Sequence, residues 1–308
     1  MHHPPHLRRR AAAALALATA GTLLLTGCGG GGDEAAKDPV QVVRDKVPKA
    51  QRTAGVLRIG SDLNYAPVDF RGSDGKPDGL DPDIATALGK IMNLRIEFVD
   101  TPFDKLIPNL HGKQFDVAMS ALSDIRQRRE GVDDNNKPTG LAVDFVDYFI
   151  AGSSITVPKG NPKGIHTLDD LCGKTVAVQQ GTTQDEIIGR QVTACSRVNK
   201  PLTVHKFDSD AKALAEVASG AAVAGLNDFP VAAYAAKTTD GGNRFEVTGA
   251  QSKSNPYGIA VRKEDTELRD MLSKAVDQLI RSGDYDKILA KWNVSAGAAQ
   301  NAVVNGGI

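Results

Sequence analysis

The feature that most limits the fold of this chain is an alternation of strand-like and helix-like segments, which occurs twice. In residues 56–119, short apolar runs are separated by segments whose apolar residues have helical spacing. Residues 175–237 repeat the same order. Strands that alternate with helices predict mostly parallel sheets covered by helices. The sequence therefore predicts an α/β fold built from two similar units of roughly 100 residues.

The element boundaries follow from the same patterns. The predicted strands are 56–60, 95–99, 115–119, 175–178, 202–207 and 223–226. The predicted helices are one that Asp81 caps, with Pro82 in its first turn, and the segments 103–110, 183–194, 211–219 and 229–237. A long amphipathic helix follows over 268–280, and Asp284 is expected to cap a last short helix that contains Trp292.

The first 28 residues predict export. Three arginines at positions 8–10 precede an apolar run over 11–25, and Gly27 and Cys28 follow. This order is typical of a secretory signal, and the run is shorter than the roughly 20 residues of a membrane-spanning helix. A small residue, Gly and Cys after such a run resemble a bacterial lipobox, in which Cys28 is lipidated and becomes the new N-terminus. The alternative is an ordinary cleaved signal peptide, 1–27, followed by an unpaired cysteine.

Residues 28–54 are predicted to form a flexible tether, because they are Gly-rich and then charged, with too few apolar residues for a core. The chain beyond residue 27 has 34 basic and 37 acidic residues. Nucleic-acid binding would require a basic surface, so it is not expected. Cys172 and Cys195 form an even pair in an exported protein, which predicts a disulfide. Two buried free thiols are the alternative.

Motifs for catalysis or cofactors are missing from the sequence. Gly173-Lys174-Thr175 is not a phosphate-binding loop, because Leu168 stands where that loop requires glycine. The sequence has neither a Gly-x-Ser-x-Gly elbow nor a His-Glu-x-x-His motif, and its histidines after residue 28 are far apart. We therefore expect no catalytic residues, no cofactor and no metal site, and interpret the protein as one that recognises a ligand.

Short motifs between residues 55 and 293 support a more specific interpretation. They are LRIGSDLNYAP (57–67), GLDPDI (79–84), FDKLIP (103–108), FDV (115–117), SALS (120–123) with Arg128, QGTT (180–183), NDFP (227–230) and YGIAVRKED (257–265). Their order and spacing resemble those of the polar amino-acid binding proteins of ABC importers, the bacterial extracellular solute-binding proteins of family 3. Each motif is weak alone, but the shared order is specific.

This resemblance implies a two-lobed fold of the type II periplasmic-binding-protein kind, a flytrap with two hinge crossovers. Lobe 1 is expected over 55–150 plus 255–293 and lobe 2 over 152–250, with a tail over 294–308. The hinge is expected near residues 151–152 and 252–254. The polar stretch 131–142 is longer than the usual link and is expected to be a surface loop beside the cleft.

The resemblance also implies a set of ligand-binding residues. Arg128, with Ser123 and the helix start at Thr182 and Thr183, would bind the ligand carboxylate, and Asp228 would bind its ammonium group. The expected lining of the ligand side chain and the rest of the pocket is Asp62, Tyr65, Phe103, Ser120, Ala121, Gln179 and Asn227. Four alternatives stay open, namely that Arg128 belongs to a solvated charged face, that Asp228 caps the helix that follows it, that Tyr65 and Phe103 fill the edge of a lobe, and that Asp62 braces a loop.

The implied function is that of a monomeric, lipid-anchored receptor outside the cell membrane, which captures a polar amino acid and delivers it to an ABC permease. Asp62 favours a basic or amide side chain. Two other functions are open: an enzyme similar to cyclohexadienyl dehydratases, which share the fold, and a ligand-sensing module. Turnover of prephenate or arogenate would identify the enzyme, and a membrane partner other than a permease would identify the sensor.

Overall fold

A computed structural model of the protein describes residues 38–133, 135–252 and 254–307. The predicted signal peptide, Cys28 and the first part of the predicted tether lie outside the described residues. Within the described ranges, no helix combines the length and the apolar character that crossing a membrane requires.

The secondary structure alternates along most of the chain. The strands are β1 (Val56–Ser61), β2 (Asn64–Tyr65), β3 (Asp69–Arg71), β4 (Pro77–Asp78), β5 (Arg95–Asp100), β6 (Val117–Ala118), β7 (Val143–Ala151), β8 (Ser153–Pro158), β9 (Thr175–Gln179), β10 (Thr203–Phe207), β11 (Ala224–Asp228), β12 (Phe245–Thr248), β13 (Asn255–Arg262) and β14 (Ala298–Val304). The α-helices are α1 (Pro39–Asp45), α2 (Lys49–Ala54), α3 (Leu80–Met92), α4 (Leu106–His111), α5 (Arg126–Glu130), α6 (Thr183–Arg197), α7 (Asp210–Ser219), α8 (Phe229–Thr238), α9 (Thr266–Ser282) and α10 (Asp284–Trp292).

Two large sheets define the two lobes. The six-stranded sheet of lobe 1 has the order β14-β7-β13-β6-β1-β5, and the five-stranded sheet of lobe 2 has the order β10-β9-β11-β8-β12. The α/β prediction is confirmed, but the sheets are mixed. In each lobe, three neighbouring strands are parallel, while β7 and β13 in lobe 1 and β8 and β12 in lobe 2 pair antiparallel. These four strands carry the chain between the lobes. Because they pair antiparallel, they do not need the helical crossover that parallel strands require.

The chain passes from lobe 1 to lobe 2 between β7 and β8, and returns between β12 and β13. The two passages lie against each other, because Ser252 donates its backbone N–H to Ser153 O at 2.9 Å. A β-carbon on Gly152 would lie 2.7 Å from Ser252 O. Glycine at this position therefore allows the two backbones to approach closely.

Apolar helix faces form the core of each lobe. In lobe 1, α3 and α9 cover the sheet with residues at three-four spacing, including Ile84, Leu88 and Leu272. In lobe 2, Val176 and Val178 of β9 pack with Ile188 of α6. A disulfide joins Cys172 to Cys195, with an S–S distance of 1.97 Å, so the predicted disulfide is present and attaches α6 to the segment before β9.

The structure differs from the sequence analysis in three places. The described part of the predicted tether is not a coil: α1 and α2 occupy it, and Val43 and Val47 are buried in the core of lobe 1. The predicted tail contains β14, which pairs with β7. Asp81 and Asp284 are not caps, since glycine precedes each helix at the cap position and neither helix start has a side-chain capping bond.

Candidate functional site

The predicted site residues meet in a cavity between the lobes. Its lining residues are Asp62, Tyr65, Phe103, Ser120, Ala121, Ser123 and Arg128 from lobe 1, and Gln179, Thr182, Thr183, Gln184 and Asp228 from lobe 2. Residues more than 160 positions apart thus face one space.

The topology explains why polar groups converge here. Asp62 follows β1, while Gln179 and Asp228 end β9 and β11. Side chains at the carboxyl ends of neighbouring parallel strands meet at one edge of a sheet, where α/β proteins bind ligands. The helix α6 begins soon after β9, so its N-terminus is directed to the same edge.

Arg128 is held in place by contacts from both lobes. Its Nη1 donates to Ser123 O at 2.9 Å and its Nη2 donates to Gly181 O at 3.1 Å. The guanidinium carbon lies 5.4 Å from the centre of the Phe103 ring, at cation–π distance. Burial lowers the pKa of Arg128, but the group stays charged at neutral pH. Arg128 is therefore an oriented, partly desolvated cation on the lobe 1 side of the cavity.

Asp228 is the corresponding anion on the lobe 2 side. It is buried, and its carboxylate accepts from Gln184 Nε2 at 2.8 Å and from Tyr65 Oη at 3.1 Å. The backbone N–H of Asp228 donates to Tyr65 Oη at 2.9 Å. Its side chain makes no capping bond to α8, so the capping alternative is wrong. Burial raises the pKa of Asp228 to about 6, and this ionised group gains from a cation in the cavity.

Asp62 places a second carboxylate in the cavity. It accepts from Gln179 Nε2 across the lobes at 2.6 Å and from Asn64 Nδ2 at 2.9 Å. Burial raises the pKa of Asp62. Because these donors are neutral amides, the negative charge of Asp62 has no cationic partner among its hydrogen bonds in the described structure.

The hydroxyl groups of the cavity are partly engaged already. Ser120 Oγ donates to the buried Asp69 at 2.5 Å and accepts the N–H of Asp62 at 3.0 Å. Thr182 Oγ1 caps α6 by accepting the N–H of Asp185 at 3.1 Å. The N–H groups of Thr183 and Gln184 lie in the first turn of α6, where a helix offers them no acceptor, so they can bind an anion.

Asn227 lies apart from the other predicted site residues. Its side-chain amide donates to Asp210, and its Oδ1 accepts from Thr156 Oγ1 at 2.7 Å, behind the cavity wall. Successive residues of a strand point to opposite faces, so Asn227 and Asp228 cannot both face the ligand from β11. The sequence analysis missed Gln184, which lines the cavity and bonds Asp228. The sequence indicates Gln184 by its position in the first turn of the predicted helix.

The described residues contain no group of three or more His, Cys, Asp or Glu side chains placed to hold a metal ion.

The polar stretch 131–142 forms a loop after α5, in which Val132 and Pro138 make an isolated bridge. Arg126 of α5 donates to Asn136 Oδ1 of this loop at 2.6 Å.

Known proteins that are similar to this chain agree with a ligand site between two lobes. The profile of the bacterial extracellular solute-binding proteins, family 3, matches residues 57–295. The chain belongs to this family. Membership makes it an extracytoplasmic solute-binding protein, whereas lipidation of Cys28 stays a prediction.

Relatives of known function are similar along most of their length. The arginine-binding protein ArgT of Corynebacterium glutamicum is 28% identical over 89% of this chain and 86% of its own. The histidine-binding periplasmic protein of Escherichia coli is 31% identical over 77% of this chain and 86% of its own. A solved structure of an ancestral arginine-binding protein bound to arginine has a TM-score of 0.68 and 34% identity, covering 77% of this chain and 98% of its own. The type II two-lobed fold is thereby confirmed.

Proposed function

We propose that this family 3 protein captures an amino acid with a basic side chain between its lobes and delivers it to an ABC permease. The observation that carries the proposal is the placement of Arg128 and Asp228 on opposite lobes of one cavity, with Asp62 as a second anion. The relatives named for arginine and histidine agree with this ligand class.

The two lobes divide the recognition of the amino-acid backbone. The ligand carboxylate binds the guanidinium of Arg128 and the free N–H groups at the start of α6, which together offer several donors to one anion. The ligand ammonium binds Asp228, whose carboxylate has lone pairs left beside its bonds from Gln184 and Tyr65. The carboxylate thus binds groups of both lobes, while the ammonium binds lobe 2.

The charge of the cavity selects the side chain. Its lining includes two carboxylates, Asp62 and Asp228, and one guanidinium, that of Arg128. A ligand with one carboxylate and two cationic groups balances these charges, and this describes arginine, lysine or protonated histidine. The ring of Phe103 and the apolar part of Tyr65 pack against the aliphatic portion of such a side chain.

Calorimetric titration of the protein tests the proposal. Arginine, lysine, histidine, glutamine and glutamate are compared with agmatine, which is arginine without its carboxylate. We expect one-to-one binding of the basic amino acids, with glutamate and agmatine each at least about tenfold weaker, because each leaves a charged group of the site unpaired. Failure of all amino acids to bind, or turnover of prephenate or arogenate, would contradict the proposal. If glutamate binds most tightly, the proposed preference for a basic side chain is wrong, but the capture of an amino acid is not contradicted.

A lipid anchor on Cys28 would keep the protein close to its permease. The lipobox-like order before Cys28 supports this part of the proposal. Replacing Cys28 with Ala is expected to release the protein from membranes without changing ligand affinity, as measured by cell fractionation and titration. A variant that stays with the membranes would contradict the anchor.

A further inference from the structure

The helix that carries Arg128 is too short to hold its own conformation. The helix α5 has five residues, and no side chain caps its start at Ile125. Isolated helices of this length are unstable in water, because few hydrogen bonds offset the cost of nucleation. The position of Arg128 must therefore depend on contacts made by its neighbours.

Asp124, just before α5, makes several of these contacts. Its side chain is fully buried and accepts from Arg129 Nη1 of α5 at 2.5 Å. Its other carboxylate oxygen accepts the backbone N–H of Gly307 at 2.8 Å. The backbone N–H of Asp124 donates to Pro256 O of β13 at 2.8 Å. Asp124 thus joins α5 to the sheet of lobe 1 and to residues after β14.

Residues 305–307, which we name the C-terminal anchor, are fastened along β7. Asn305 exchanges hydrogen bonds with the backbone of Phe145, at 2.9 and 3.1 Å. Gly306 donates its N–H to Asp147 Oδ2 at 3.0 Å. A β-carbon on Gly307 would overlap the carbonyl oxygen of Asp124. Only glycine at position 307 allows this close contact.

We propose that the C-terminal anchor is a positioning element for Arg128. Gly307 holds Asp124, Asp124 holds Arg129, and Arg129 fixes the turn of α5 from which Arg128 reaches the cavity. The C-terminal anchor does not line the cavity, so it acts only through this chain of contacts. This inference rests on the proposed role of Arg128 in binding the ligand carboxylate.

The test is a double-mutant cycle measured by titration with arginine. Gly307→Ala is made in the natural chain and in an Arg128→Lys background, and thermal unfolding is recorded for each variant. We expect Gly307→Ala to weaken binding about tenfold in the natural chain and less than about twofold in the Arg128→Lys background, because the guanidinium it positions is then absent. Removal of residues 306–308 should give the same pattern while keeping β14.

Gly189→Ala is the matched control, since a β-carbon there meets no atom within 4 Å and α6 favours alanine at that position. It should leave the affinity unchanged. Equal losses in both backgrounds, or no loss from Gly307→Ala and from removal of 306–308, would overturn the positioning role. If Arg128→Lys itself leaves the affinity for arginine unchanged, the proposed carboxylate binding fails instead.

Discussion

The two lobes reach similar folds by different means. Lobe 1 combines strands from distant parts of the chain, from β1 to β14, and has an apolar core that also includes α1 and α9. Lobe 2 is one continuous segment with two smaller apolar clusters. Its disulfide closes a loop between residues 23 positions apart. A smaller core stabilises a lobe less, and the disulfide compensates for part of this difference.

The lobes also differ in the charge that they bring to the cavity. Lobe 1 supplies the cation Arg128 and the carboxylate Asp62 with the rings of Tyr65 and Phe103, whereas lobe 2 supplies the anion Asp228 with the start of α6 and no cation. Because the ligand carboxylate binds Arg128 of lobe 1 and the start of α6 of lobe 2 at the same time, binding favours the arrangement in which the lobes are close together. The two lobes therefore contribute unequally to the stability of the protein and to the recognition of its ligand.

The largest expected effect comes from removing the anion of lobe 2. Asp228→Asn keeps the size of the side chain but leaves the ligand ammonium without a charged partner. We expect a loss of about 2–5 kcal/mol in the binding free energy of arginine, measured by calorimetry. Asp240→Asn is the control, because Asp240 is an exposed residue of lobe 2 whose ion pair with Arg244 spans 3.5 Å. Similar affinities for the two variants would show that lobe 2 does not bind the ammonium through Asp228.

The second largest effect is expected on the stability of lobe 2 alone. Replacing Cys172 and Cys195 together with Ser should lower the free energy of unfolding of lobe 2 by about 3 kcal/mol, since the unfolded segment regains loop entropy. Hydrogen exchange should become faster in β8–β12 while β1 and β5–β7 keep their protection. If hydrogen exchange becomes faster to the same extent in both lobes, the lobes unfold as one unit. That result would contradict the inference that the disulfide stabilises lobe 2 separately.

The smallest expected effect is a pH dependence of binding that arises in lobe 2. Burial raises the pKa of Asp228 to about 6, so its proton must leave before the carboxylate can pair with the ligand ammonium. Affinity should therefore fall as the pH drops below this value, and arginine should bind about tenfold more weakly at pH 5 than at pH 7. Calorimetry at both pH values measures the change. The Asp228→Asn variant should lose this dependence, and its persistence would assign the titration to another group.

The elements with clear periodicity were predictable from the sequence. The strands β1, β5, β9, β10 and β11 lie within two residues of their predicted bounds, because their apolar runs are short and bounded by polar residues. Of the predicted ligand-binding residues, Asn227 alone does not line the cavity of the described structure. The alternation of side chains along β11 would have separated it from Asp228, so this difference was predictable.

Other features depend on contacts that a linear pattern does not reveal. Val40, Val43 and Val47 have helical spacing, but a helix this short gains stability only by packing on lobe 1. The segment of β14 is rich in Ala, and it becomes a strand because β7 offers it an edge. Asp81 bonds Tyr148 Oη at 2.6 Å and the N–H of Ala121 at 3.0 Å, partners distant in sequence, instead of capping α3.

The close approach of the two passages at Gly152 and Ser252 has a consequence for how such proteins can diversify. Ala151 and Asn255 are paired neighbours in lobe 1, so the segment that forms lobe 2 leaves and re-enters the sheet at one place. A segment with adjacent ends can be exchanged between related chains as a cassette, with little effect on the sheet that receives it. Recombination at these two points would change Asp228 and the helix start that face a ligand while keeping Arg128 and its contacts within lobe 1.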